Sequence, residues 1–154
     1  MSKELIETWE INGRIVLYLL EHLETEWLTD VSASKGRTVG DQLAHLHNVR
    51  LMWLKSAAPE LLEGLGKIEK GQIISKEILH EFLSKSAEAV SKLIENGVAN
   101  GRKIKGFKPH ATAFVGYIIS HESHHRGQIM LSLKQSGRKM GKSVGFGLWE
   151  WGTR

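Results

Sequence analysis

In four long stretches of the chain, apolar residues recur at alternating spacings of three and four, the period that gives an α-helix one buried stripe. The first stretch, about residues 3–24, puts Leu5, Trp9, Asn12, Val16, Leu19 and Leu23 on one face, Asn12 being the polar member. The second, about 38–56, opens with Thr38 and Asp41 in a capping-box relation. It runs through Leu43, Leu46, Val49, Met52 and Trp53 and stops before Ala57, Ala58 and Pro59. The third, about 75–96, starts at Ser75, carries Leu79, Phe82, Ala89 or Val90 and Leu93, and ends before Gly97. The fourth, about 110–136, follows Pro109 and aligns Phe114, Ile118, His121, His125 and Ile129 before Gly137, a helix-ending glycine. Glycine-bearing loops separate the four, and no stretch alternates as a strand would. The expected fold is therefore all-α: a four-helix bundle forming one domain over residues 1–154.

The remaining segment, Arg138 to Arg154, is rich in glycine and tryptophan, and Phe146, Leu148, Trp149 and Trp151 are expected to pack it back on the bundle. With 41% apolar and 25% charged residues, the chain fits neither a disordered nor a membrane class. Its first residues carry acids where a secretory signal needs basic and then apolar ones, so a cytoplasmic protein is expected, with no membrane partner. There is no cysteine, so any chemistry must run on imidazole, carboxylate, hydroxyl or amide groups. The net charge of +4 favours anionic partners without requiring nucleic acid.

Eight histidines are an unusual endowment, and their placement decides what they mean. His121 and His125 stand four apart on the apolar stripe of the fourth helix, where both can offer a nitrogen to one ion. Two neutral imidazoles buried side by side would otherwise need polar partners of their own. A third ligand should come from another helix. His45 is preferred because it lies within about 40° of Val49 and Met52 on the helical wheel. His47, about 200° away, is the competing candidate. Three histidines leave a coordination position for water or substrate, as catalytic zinc sites do. His124 points about 60° away from the pair and is a poorer ligand. Glu122 is expected to be either a neighbour of the ligands or a solvated residue. Arg126 could clamp an anionic substrate or form an exposed salt bridge. Gly127, costly inside a helix, suggests close approach of another helix.

His121-Glu122-x-x-His125 also matches the zincin pattern, in which the glutamate is the base of a metalloprotease. That reading is less favoured. Glu150 sits in the glycine-rich tail with no evident helix to present it as third ligand, and no histidine follows His125.

The run Thr38-Val39-Gly40-Asp41-Gln42-Leu43-Ala44-His45-Leu46, continuing to Trp53-Leu54, resembles the second-helix motif of the DinB/YfiT-like family, where Leu-Ala-His carries the first metal ligand. His121-x-x-x-His125-Arg126-Gly127-Gln128 is similar to that family's fourth-helix signature, and Asn12 falls where members often carry an asparagine. The resemblance spans nearly the whole chain. It implies a four-helix bundle, often a homodimer, with zinc or nickel on three histidines in a cleft. Characterised relatives include transferases and isomerases that use small thiols. The family label refers to damage-inducible expression and implies no contact with DNA.

Two functions are therefore weighed. One is a metal-dependent transferase or hydrolase acting on a small molecule, with or without a low-molecular-weight thiol. The other is a non-catalytic metal-binding or stress-related bundle. His47, Asn12, Glu122, His124 and Arg126 are the candidates for contacts around the metal or the substrate. Nucleic-acid binding through Arg102, Lys103, Lys105 and Lys108, with Lys134, Arg138, Lys139 and Lys142, is a weaker third reading, since basic runs are mostly solvated faces.

Overall fold

The structure, a computed structural model, describes residues 2–72 and 74–154. It contains four long helices, α1 (Ser2–Glu21), α2 (Val39–Ala57), α3 (Lys76–Ala99) and α4 (Ala111–Gln135), and a short α5 (Lys142–Gly147) in the tail. Helix α1 packs chiefly on α3, and α2 on both α3 and α4, which closes an all-α bundle. Among the described residues there is no strand, and no helix is long and apolar enough to cross a membrane.

Local chemistry sets the helix ends. Thr38 Oγ1 accepts from Asp41 N at 3.1 Å and starts α2, and Ser75 Oγ accepts from Ile78 N at 3.1 Å and starts α3. Gly137, at φ 75°, ends α4 through paired bonds from Gly137 N to Lys134 O and from Arg138 N to Leu133 O. Gly97 does not end α3, which runs on to Ala99. A Cβ at Gly97 would collide with Ile104 and meet Lys103 O at 2.9 Å, so this glycine admits the loop that crosses the helix. The first helix stops at Glu21, short of the expected residue 24, and Thr25–Thr29 form a 3-10 turn instead.

The core has two apolar clusters, one around Val16, Leu19, Leu43, Leu46, Leu79 and Ile129, the other around Trp9, Leu54, Val90, Ile94, Phe114 and Ile118. The expected phase of α2 needs correction. Its deeply buried side runs through Leu43, His47, Arg50 and Leu54, a four-three-four spacing, while Val49 is half-buried and Met52 is 54% exposed. Polar residues on the true buried side hid the stripe.

The tail packs back in part. Met140 and Leu148 join the first cluster, and Gly147 lies so close to Tyr18 that no side chain would fit. The Arg154 guanidinium sits 3.7 Å over the Tyr18 ring. Arg138 pairs with both oxygens of Asp30, at 2.7 and 3.0 Å, so it is not a free basic surface. Phe146 and Trp149, by contrast, are 68% and 80% exposed and anchor nothing.

Candidate metal centre

His45 comes from the middle of α2, and His121 and His125 from successive turns of α4. The three rings meet with centroids 4.7 to 5.2 Å apart. Each offers one nitrogen within a group whose members all lie within 4.8 Å of one another. The cluster sits at the rim of the bundle. His125 is buried, His45 and His121 are half-buried, and His45 lies across the helix from the α2 core side. On the helical wheel His45 does group with Val49 and Met52, although those residues mark the rim rather than the core.

Several features fit a divalent metal. His45 Nε2 and His121 Nε2 are 3.3 Å apart, long for a hydrogen bond. Two nitrogens at about 2.0–2.1 Å from one tetrahedral zinc would stand about 3.4 Å apart. His121 Nδ1, by contrast, is buried without a hydrogen-bond partner. Gln42, one turn before His45, turns its Oε1 to His125 Nδ1 at 3.0 Å. That bond puts the proton on Nδ1 and leaves Nε2 with a lone pair, the arrangement that orients a ligating histidine.

Electrostatics point the same way. Burial pushes the pKa of all three rings below the ordinary histidine value, and the Arg37 cation adds to the effect at each. His125 is lowered to about 4, by burial first and then by His121 and His45. Near neutrality the three imidazoles are uncharged, with lone pairs free to bind a cation.

His47 does not join them. It is fully buried, with Nδ1 3.1 Å from Phe82 O and Nε2 2.7 Å from Gly66 O, and it staples the loop before α3 onto the bundle. Neighbouring Asn48 does the same by exchanging two bonds of 2.9 Å with the Ile68 backbone. His124 is exposed, its Nε2 2.9 Å from Gln128 Nε2.

Glu122 is neither solvated nor open to the triad. It is fully buried, and Arg50 grips both its oxygens, with Nε donating to Oε1 at 2.6 Å and NH2 to Oε2 at 2.9 Å. Asn12 Nδ2 donates to Oε2 at 2.7 Å, and Arg126 NH1 donates to Asn12 Oδ1 at 2.7 Å. A carboxylate so enclosed has no access to the water that a zincin base must deprotonate. Arg126 is likewise buried rather than an exposed salt bridge. Asn12, Glu122 and Arg126 therefore belong to one polar network in the core. Its hub, Arg50, also donates to Leu83 O at 2.8 Å and Ser86 Oγ at 3.1 Å and lies 5.1 Å from the Trp9 ring. Sequence reasoning missed Arg50, Gln42 and Arg37. The available signal was the spacing of Arg50, which falls four residues after Leu46 and seven after Leu43.

Gly127 does not receive another helix either, since a Cβ there would meet nothing within 4 Å.

Neither a curated protein nor a solved structure matches the chain. A family model does, over residues 1–145, and its description is the DinB family. With the bundle in place and three histidines able to share a metal ion, the chain belongs to the DinB family.

Proposed function

We propose that the protein is a metal-dependent enzyme in which His45, His121 and His125 hold one divalent ion, zinc or nickel, and that it transfers or hydrolyses a group on a small molecule. The observation that carries this reading is the convergence of three neutral imidazoles, two half-buried and one buried, on one point at the bundle rim. The ion would supply Lewis acidity and acidify whatever protic group it binds, water or a low-molecular-weight thiol. The chain's own residues do the rest. Gln42 holds the His125 proton on Nδ1, so Nε2 faces the centre. Arg37, whose charge is felt at all three rings, can receive an anionic part of the substrate. A recess of about 290 Å3 beside it, lined by Ser34, Lys35, Gln42 and Gln128 among others, offers that part polar contacts. The reading includes a homodimer in the cytoplasm.

Metal analysis of untagged protein tests the ligands. Wild type and His124→Ala should carry close to one ion per chain, and His45→Ala, His121→Ala and His125→Ala almost none. Thiols paired with small electrophiles then test the activity, and turnover persisting unchanged in His121→Ala and His125→Ala would remove the enzyme reading. The second reading, a non-catalytic bundle, is favoured by the way the triad joins α2 to α4. It predicts that removing the ion lowers the melting temperature while no thiol or electrophile supports turnover.

A further inference from the structure

The side of α4 opposite the triad borders a second cavity, of about 340 Å3. Ser123, Arg126, Gly127 and Met130 form one wall, and Leu148 and Trp149 of the tail face them. At 100° per residue, Ser123 and Met130 stand about 160–180° round the helix from the midpoint of His121 and His125. The cavity is therefore separate from the candidate metal centre, and nothing in its walls depends on the metal.

Its chemistry is uneven. Three charged groups lie buried together, the cations Arg50 and Arg126 and the single anion Glu122. Arg50 grips both Glu122 oxygens, while Arg126 reaches only the neutral Asn12 Oδ1, its one hydrogen bond among the described residues. A guanidinium has five N–H donors in a planar fork, so Arg126, 9% exposed, keeps most of them for the cavity it lines. Burial opposes its charge and Arg50 repels it, and the attraction of Glu122, whose oxygens Arg50 already grips, offsets this only in part, so its pKa lies below the ordinary value. A buried cation without its own counter-charge is costly, and an anion in the cavity would supply one.

The remaining walls are apolar. Trp149 is 80% exposed at the cavity, and Gly127 and Gly145 leave space, since a Cβ at either would meet nothing within 4 Å. The volume lies in the range of small-molecule sites, and a few polar groups set in apolar walls are their usual composition. We propose that this cavity binds a small monocarboxylate with an apolar body, its carboxylate bidentate on Arg126 and its body against Trp149, Leu148 and Met130. A carboxylate suits the planar fork better than a spherical ion does.

Decanoate, with decanol as its uncharged counterpart, probes the site in the full-length chain by calorimetry and tryptophan fluorescence. Decanoate should bind saturably and perturb the fluorescence, and decanol should bind at least tenfold more weakly. Arg126→Gln should abolish the preference for the acid. Because that change disturbs the core, two others keep the test decisive. Gly127→Leu fills the cavity from an exposed helix position, and Trp149→Ala removes a largely solvated ring. Each should weaken decanoate at least tenfold without changing metal content. Equal binding of decanol, or unchanged decanoate binding in Gly127→Leu, would overturn the proposal. So would the absence of saturable binding.

Discussion

Two groups of side chains on α4 interleave in sequence and differ in almost every physical respect. His121 and His125 lie on one rim of the helix and are neutral; His121 is half-buried with Nδ1 unpaired, and His125 is buried with only its Nδ1 spent, on Gln42. Glu122, between them in sequence, is charged, fully buried and saturated by Arg50 and Asn12. The difference separates two jobs. A group that must bind something keeps lone pairs or donors unspent at an accessible edge. A group that must hold helices in register spends all of them inside. The Arg50–Glu122 pair ties α2 to α4, the two helices that carry the triad, without touching any of the three histidines.

The contrast predicts that the largest loss of stability will come from the saturated group. Glu122→Gln leaves Arg50 without its counter-charge in the core, where a broken buried pair costs about 3–5 kcal/mol. Urea denaturation should show that loss in metal-free protein, and a cost under about 1 kcal/mol would mean that the network is not a structural tie. The next effect is acid sensitivity. His125 binds a proton near pH 6.5 when unfolded but only near pH 4 when folded, so the unfolded state takes up more protons between those values. Stability of the metal-free protein therefore falls as pH drops from about 6.5 toward about 4. Bound metal excludes the proton and should hold off the decline. Melting curves for wild type and His125→Gln, with and without metal, check this: an equally steep decline in the variant would assign it to other groups.

Much of the fold was legible because its determinants are local. Thr38, Ser75 and Gly137 mark helix ends through bonds to residues three to five away, and the spacing of His121 and His125 needs only the helix itself. What stayed hidden depends on distant partners. Gly97 looked like a terminator because Ile104, which packs on it, arrives with the following loop. Arg50 went unnoticed because its partners Glu122, Leu83 and Ser86 stand on α4 and α3. That misplaced the α2 stripe toward Met52. His47 is held away from the three-histidine group by two carbonyls, of Phe82 and Gly66, that no periodicity reveals.

Smaller effects sharpen the same contrast on the metal side. Gln42→Leu removes the acceptor that fixes the His125 ring while leaving all three histidines in place, and losing such an outer partner typically weakens metal binding about 10- to 100-fold. Competition against a chelator of known affinity measures it, and unchanged affinity would show that Gln42 does not orient the ligand.

The smallest effect belongs to His124. It lies one residue from His125 and its ring stacks edge-on at 5.2 Å, so proximity alone would make it a fourth ligand. It is nevertheless exposed, and its partner is Gln128, one turn on along the same solvated face. Replacing an exposed residue with alanine changes stability by no more than about 0.5 kcal/mol. His124→Ala should leave both metal content and melting temperature nearly unchanged. Loss of the ion in this variant would move the centre toward the solvent face of α4 and break the division between an accessible binding rim and a saturated core.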